Sequence, residues 1–471
     1  MSLFLKQTKI VATLGKTAET FEQIKGLSEA GMNVARFNFS HGDLIEHKAK
    51  VDVVREVIES TGKRIALLQD LSGPKIRTGT LETETVTLQK GNQVVLTTDD
   101  VIGSAERMSI SYKKLPHDIE VGADILINDG KLRLEVLEIK ENDIVCEVKV
   151  GGTIREKRGV NLPGTSLSIP AMTEKDLQDV QMGIEEGFDF VALSFVQTAK
   201  DILDLKELLR KQGSKALVIA KIETTDAIEN IEAIVHASDA IMVARGDLAV
   251  EVGAEKVPAL QKRIVRMSNK KSKPVIVATQ MLESMTDSPV PTRAEVSDVS
   301  NAITDGADAV MLSQETAYGN YAKEAVEVMC TIAQETERSM ELDTSNICSS
   351  ITGAEIQDAI TRHAVGVAVE VGAKAIVALT ESGTTSRQVA RLRSGLPVLV
   401  VSPHEHVLNQ SLLSFGTYPS AGSTTKEGAV DYARQSILKL ELAKPGERVI
   451  MTSGSIFNQA GHTNTITVIT I

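Results

Sequence analysis

The sequence predicts an α/β protein built on a closed (β/α)8 TIM barrel, with a small β-barrel lid domain inserted into it and an open α/β domain after it. Three observations predict this. Short, nearly continuous apolar runs recur eight times, each followed by a segment of helical length, as parallel strands covered on both faces require. One stretch, roughly 74–169, breaks that rhythm with short β-rich runs cut by Gly, Asn and Asp turns. From about residue 346 the alternation of strand and helix resumes.

Taken in order, the first run is TKIVATLG (8–15), followed by a helix through ETFEQIKGLSEAG. MNVARFNFS (32–40) comes next, then a helix over 44–60 and the run RIALLQDL (64–71). The insertion follows, with stretches such as TETVTLQKGNQVVLTT and GADILINDGKLRLEVLEIKENDIVCEVKVGG. After residue 170 a helix in TEKDLQDVQMGIEEG leads to FDFVALSFV (188–196), ALVIAKIE (216–223), AIMVARGDL (240–248), PVIVATQM (274–281) and AVMLSQE (309–315). The last region reads as a helix over 355–371 and strands AIVALT, PVLVVS and RVIMTSG with helices between. The expected domains are therefore 1–73 with 170–345 (barrel), 74–169 (inserted lid) and 346–471 (C-terminal α/β).

Composition narrows the class. A chain of 471 residues exceeds one small domain. It has no Trp and 3% aromatic residues, a poor basis for stacking on single-stranded nucleic acid. Its net charge of −12 argues against a general polyanion binder, while local basic clusters can still hold small phosphates. Cys146, Cys330 and Cys348 are odd in number and lack metal-like spacing, which reads as reduced cysteine. The start MSLFLKQTK has no long apolar core, and no run reaches transmembrane length. The expectation is a soluble cytoplasmic protein without a nucleic-acid or membrane partner.

Catalytic residues of such barrels sit at the carboxyl ends of the strands, and here those ends are polar. Strand 2 offers Arg36, Asn38 and Ser40 at alternate positions, with Phe37 and Phe39 directed outward. Strand 3 ends in Asp70 and strand 4 in Ser194. Strand 5 gives Lys221 and Glu223, strand 6 Arg245 and Asp247, strand 7 Thr279 and Gln280, and strand 8 Ser313 and Glu315. One charged strand end is ordinarily a solvated loop residue; this many on one rim read as an active site. Glu223 and Asp247 can jointly hold a divalent cation, and oxygen-only ligands favour Mg²⁺ or Mn²⁺ over zinc. The backbone N–H groups of Gly246 and Asp247 open a short helical turn that suits a small carboxylate. Arg36, Lys221 and Arg77 bring positive charge for a phosphoryl group. Together these suggest phosphoryl transfer involving a small carboxylic acid, and the absence of GxxxxGK[ST] excludes a P-loop kinase.

The segments MNVARFNFSHGD, GPKIRTG, IAKIETTDAIENI, MVARGDLAVEV, PVIVATQMLESM and PTRAEVSDVSNAITDGADAVMLSQETA closely resemble the signature segments of pyruvate kinases, in order and over nearly the whole chain. The resemblance implies transfer of a phosphoryl group from phosphoenolpyruvate to ADP, giving pyruvate and ATP. It further implies that Arg36, with Arg77 beside it, binds the transferring group, and that Lys221 stabilises enolate and phosphoryl charge. By the same resemblance Glu223 and Asp247 hold the metal. The backbone of Arg245, Gly246 and Asp247, together with Thr279, binds the carboxylate, and Thr279 relays a proton to the enolate carbon. Arg36, Asn38, Arg77, Lys175 and His41 are the nucleotide-site candidates. A non-catalytic metabolite sensor, or a metal-dependent lyase or aldolase on pyruvate or phosphoenolpyruvate, is the alternative.

The chain departs from the family pattern at several places. Gly15-Lys16 stands where Gly-Pro is usual, and Gln314 where Gly is usual. The stretch QDLSGPKIR (69–77) stands where many relatives carry DTKGPEIR and bind K⁺ through positions equivalent to Asn38, Ser40 and Asp70. Lys75 replaces their Glu and Leu71 their Thr, so the resemblance implies an enzyme that does not need K⁺. The turn in ALTESGTTSRQVARLR (378–393), with Thr380, Ser382, Gly383, Thr384 and Thr385, resembles the family's effector phosphate loop. Glu381 and Thr384 stand where relatives that respond to a bisphosphorylated sugar often carry basic residues. A sugar monophosphate or nucleotide is therefore the expected effector. Relatives are usually homotetramers, and the same is expected here.

Overall fold

The computed structural model describes residues 6–340, 355–422, 426–454 and 463–471. Cys348 and the expected boundary at 345/346 lie outside them. Eight parallel strands close a barrel in which neighbours in space are neighbours in order. They are Lys9–Thr13, Val34–Asn38, Ala66–Asp70, Phe190–Leu193, Leu217–Ile222, Ala240–Ala244, Val275–Ala278 and Ala309–Leu312. The register continues around the ring, from Val34 beside Ala66 to Lys9 beside Ala309. Each strand is buried on both faces, which explains its unbroken apolar character in sequence.

Two separate apolar layers result. Inward-facing side chains such as Val11, Leu68, Phe190, Ile219, Met242, Ile276 and Met311 fill the barrel. Outward-facing ones, among them Phe37, Phe39, Val191, Ile222 and Val277, pack under the helices. The expected outward direction of Phe37 and Phe39 is thus observed. The floor of the barrel is closed from outside: Leu412 and Leu413 of the C-terminal region join the interior layer. Lys9 Nζ, buried in the same floor, donates to Thr417 O at 2.6 Å.

Every strand is shorter than its apolar run. The runs 32–40, 188–196, 240–248, 274–281 and 309–315 extend beyond the strands, which stop at Asn38, Leu193, Ala244, Ala278 and Leu312. Ser40, Ser194, Thr279 and Glu315 accordingly lie in turns and short helices past the strand ends. The expected alternation of Arg36, Asn38 and Ser40 along one strand is corrected: the chain turns at Ser40, whose N–H donates to Asn38 Oδ1 at 3.1 Å.

The inserted segment forms a six-stranded and a two-stranded sheet around its own apolar core. Gly73, at φ +65°, opens the path into it, and a Cβ there would stand 2.9 Å from the Phe195 ring and 3.1 Å from Ser194 Cβ. Only glycine fits that approach. Gly15 is similarly confined, because a Cβ would fall 2.4 Å from Ala317 O. The C-terminal region has a five-stranded sheet in which helix Ile356–Glu370 and strands Ile376–Leu379, Val398–Ser402 and Arg448–Gly454 match the expected elements. Two strands, Thr417–Ala421 and Thr463–Thr470, were not expected.

Candidate active site

The turns at the carboxyl ends of the barrel strands converge beneath the lid around a cleft of about 800 Å³. Gly246, Asp247, Thr279, Gln280, Ser313, Gln314 and Glu315 line it from the barrel. The inserted domain contributes Asp129 and Arg133, which sequence reasoning missed because nothing in their spacing brings an insertion over the rim.

On the side of strands 2 to 5 a buried charge network is assembled. Asp70 is 1% exposed, and Arg36 Nε donates to its Oδ2 at 2.7 Å. Lys221 Nζ lies 3.2 Å from Asp70 Oδ1 and 3.5 Å from Glu223 Oε2, and donates to Ser194 Oγ at 2.5 Å. Ser194 Oγ in turn donates to Leu71 O at 2.6 Å. Arg36 also reaches Thr13 Oγ1 at 2.8 Å, a partner without a sequence signal. Burial alone would raise the Asp70 carboxyl, but Lys221 and Arg36 outweigh it and hold it below the ordinary value. Burial would likewise lower Lys221, but the charges of Asp70 and Glu223 hold the ammonium above its usual range. Lys221 is therefore a fixed positive charge at neutral pH, not a base.

Glu223 has a different surrounding. Its Oε1 accepts the Phe195 N–H at 2.8 Å, while its Oε2 is buried with no hydrogen-bond partner. Burial raises this carboxyl, Lys221 opposes the shift and Asp247 adds to it. A buried carboxylate oxygen that accepts no hydrogen bond, with an ammonium 3.5 Å away and a second carboxylate beside it, fits a divalent cation. Among the described residues no cluster of three or more His, Cys, Asp or Glu could hold a metal ion. The pair Glu223 and Asp247 would supply two ligands, leaving the other positions to substrate oxygens and water.

On the opposite side, helix Arg245–Val252 begins directly after strand 6, bringing the Gly246 amide to the cleft. Thr279 sits at φ +71° and Gln280 at φ +53°, a left-handed pair that costs about 1–3 kcal/mol per residue. This conformation places Thr279 Oγ1 where it accepts the Gly246 N–H at 2.8 Å and donates to Ala278 O at 2.6 Å. Arg245 holds the turn in place. Its guanidinium binds Thr279 O at 2.7 Å, Ala278 O at 3.3 Å and Asp298 at 2.7 Å. All three nitrogens of the guanidinium are committed to the protein, so what the 245–247 segment offers a carboxylate is its backbone.

The remaining expected residues are placed as follows. Burial and then Arg77, Lys75 and Arg36 lower the His41 pKa, so these cations share its surroundings. Arg77 Nη1 donates to Lys157 O in the lid at 3.0 Å. Lys175 Nζ is taken by Asp179 at 2.6 Å and Phe39 O at 2.8 Å, bracing the turn after strand 2. Lys75 is exposed at the cleft; Arg36 and Lys221, rather than Lys75, are the cations on Asp70. The Leu71 side chain is buried in the layer under the helices, while its carbonyl accepts from Ser194 Oγ. Lys16 and Gln314 are both exposed, Gln314 in the cleft. In the C-terminal domain the 380–385 turn is closed by Gly383 N–H donating to Thr380 Oγ1 at 2.9 Å. Ser382 Oγ and Thr384 Oγ1 meet at 3.0 Å, Thr385 Oγ1 meets Thr463 Oγ1 at 2.6 Å, and Glu381 lies 2.9 Å from His404 Nε2.

Comparison with known proteins gives a consistent result. Residues 5–326 match the family described as "Pyruvate kinase, barrel domain", and residues 358–469 match "Pyruvate kinase, alpha/beta domain". A pyruvate kinase of Bacillus licheniformis is 43% identical over 469 residues, covering 98% of this chain and 80% of that one. One from Geobacillus stearothermophilus is 42% identical over 465 residues, covering 98% and 79%. The crystal structure of a pyruvate kinase from Cryptosporidium parvum superposes with a TM-score of 0.94 at 34% identity, covering 99% of this chain and 96% of that one.

Proposed function

Because the chain belongs to the pyruvate kinase family, which moves the phosphoryl group of phosphoenolpyruvate to ADP to give pyruvate and ATP, we propose that its barrel rim divides that reaction among a few residues. The lyase or aldolase reading is not favoured, since both family matches and the relatives carry the kinase name. The retained set of Lys221, Glu223, Asp247 and Thr279 speaks against the sensor reading.

The observation that carries the proposal is the charged Lys221 ammonium, fixed between Asp70, Glu223 and Ser194. Phosphoryl transfer passes through a loose transition state, so catalysis is mostly positioning and charge stabilisation. The enolate oxygen of pyruvate gains negative charge as the phosphoryl group leaves, and Lys221 faces that charge without reorganising. Arg36, locked by Asp70 and Thr13, presents its guanidinium edge to the phosphoryl oxygens, with Arg77 at the lid side. Glu223 and Asp247 would hold Mg²⁺ (or Mn²⁺), which would supply charge neutralisation to the phosphoryl group. The Gly246 and Asp247 N–H groups bind the substrate carboxylate, the Gly246 N–H exchanging Thr279 Oγ1 for it, and the Thr279 hydroxyl, turned from Ala278 O, leads a proton toward the enolate carbon. Asn38, His41, Arg77 and Lys175 border the nucleotide.

The same reading extends to ions and assembly. Asp70 is already balanced by Arg36 and Lys221, and Lys75 adds a further cation at the mouth of the cleft. An added K⁺ near one such charge at about 4 Å is disfavoured by roughly 1–4 kcal/mol. Full activity is therefore expected in K⁺-free buffer containing Mg²⁺, with partial K⁺ dependence in Lys75→Glu. The assay titrates KCl against a tetraalkylammonium salt at constant ionic strength; activation of the wild type by about tenfold, equivalent to about 1.4 kcal/mol, would contradict it. The 380–385 turn takes a sugar monophosphate or nucleotide, because Glu381 repels a second phosphate. The molecule works as a cytoplasmic homotetramer divided at 73/74, 169/170 and 345/346. Among the described residues no helix is long and apolar enough to cross a membrane.

A further inference from the structure

Helix 245–252 faces two ways. Its first turn carries Gly246 and Asp247 into the cleft, and its last turn lies against the lid. Glu251 Oε1 is 3.5 Å from Asn161 Nδ2 in the lid, and Glu251 also accepts the Thr225 N–H from the turn after strand 5. One residue earlier, Val250 meets the tip of a lid hairpin: a Cβ on Gly130 would stand 3.8 Å from Val250 Cγ1. That tip runs through three left-handed residues, Asn128, Asp129 and Gly130. Beside Glu251 lies a cavity of about 50 Å³, lined by Asp226 and Gln197 of the barrel and by Pro74, Asn161 and Gly164 near the two crossings between barrel and lid.

We propose that Glu251 is a positioning residue that ties the lid to the helix carrying Gly246 and Asp247, and so couples closure of the lid to uptake of a proton. The proposal rests on the phosphotransferase reading above. Substrates must pass between lid and rim, and any lifting of the lid breaks the Asn161 contact and opens the cavity to water. Among the described residues, the groups that act on Glu251 include no cation. The groups around it are Asp226 from the turn after strand 5, Asp247 from its own helix, the neutral Asn161 from the lid and the Thr225 N–H. Burial, with Asp226 and Asp247 adding to it, pushes the Glu251 carboxyl up to about 7, against the pull of Asn161 and Thr225. Lifting the lid hydrates the carboxyl and returns it to the ordinary range. The lid-down state therefore binds the proton more tightly, and raising the pH through 7 shifts the molecule toward lid-up.

The test measures kcat and the KM for phosphoenolpyruvate at pH 6 and pH 8, with saturating Mg²⁺ and ADP, for wild type, Glu251→Gln and Asn161→Ala. The ratio of KM at pH 8 to KM at pH 6 should be larger in the wild type than in Glu251→Gln by several-fold, up to about tenfold. The amide stays neutral at both pH values and occupies the same space, so substrate ionisation cancels in that comparison. Asn161→Ala removes the partner that pulls the Glu251 carboxyl down, so it should raise KM at both pH values and steepen the ratio, which keeps the test intact if Glu251→Gln fails to fold. Equal pH ratios in wild type and the variants would overturn the proposal. Absence of turnover in the wild type would instead contradict the phosphotransferase reading.

Discussion

Lys221→Met is expected to lower kcat by about 10³-fold or more, equivalent to about 4 kcal/mol or more of transition-state stabilisation. Phosphoenolpyruvate should still bind with only modest loss, because Arg36 and the Gly246 amide remain. The reason is the timing of charge: the enolate oxygen carries its full negative charge only as the phosphoryl group departs, and an interaction that strengthens at that moment appears in kcat rather than in KM. Methionine fills a similar volume without the ammonium. It leaves Asp70 with Arg36 as its remaining cation and Ser194 Oγ without its donor. Steady-state kinetics with circular dichroism melting separates catalysis from folding. A variant retaining a tenth or more of wild-type turnover, a loss of only about 1.4 kcal/mol, would refute the assignment.

The second large effect concerns the paired carboxylates. Glu223→Gln should weaken Mn²⁺ binding by about 100-fold or more, since outer-sphere partners alone are worth about 10- to 100-fold and Glu223 is placed as a direct ligand. Paramagnetic resonance of free Mn²⁺ reads this without any turnover. Glu223 Oε2 is the buried oxygen that lacks a hydrogen bond, so its replacement by an amide removes the charge that fits a cation while keeping the shape. Removing the metal from the wild type with a chelator should reduce turnover to background, and Mg²⁺ should restore it. Unchanged Mn²⁺ affinity in Glu223→Gln would move the metal away from this pair.

Much of this site is legible in sequence because the barrel imposes a simple rule: apolar runs make strands, and the first polar residues after them face the rim. Lys221 and Glu223, two apart at the end of strand 5, follow it directly. The rule loses accuracy one residue further on. Thr279, Gln280 and Phe195 adopt left-handed backbone, which no propensity assigns to a β-branched, a long polar or an aromatic residue. Arg245 shows a second limit. Its place at a strand end says nothing of where its side chain goes, and only the fold shows the guanidinium spent on the carbonyls of the strained Thr279 turn and on Asp298. The floor of the barrel was hidden for a third reason: Leu412 and Leu413 are far away in sequence, and only the folded chain brings them beneath the interior layer. The strand Thr417–Ala421 contains Pro419, and Thr463–Thr470 pairs antiparallel at the sheet edge, so neither resembles the buried parallel runs.

The most direct test of the account follows phosphorus itself. Wild-type protein with phosphoenolpyruvate, ADP and Mg²⁺ in K⁺-free buffer is monitored by ³¹P nuclear magnetic resonance. The account predicts that the phosphoenolpyruvate signal falls as the γ-phosphate signal of ATP rises in equal amount, and that nothing happens without ADP. Release of inorganic phosphate in place of ATP, or consumption of phosphoenolpyruvate without ADP, would contradict it.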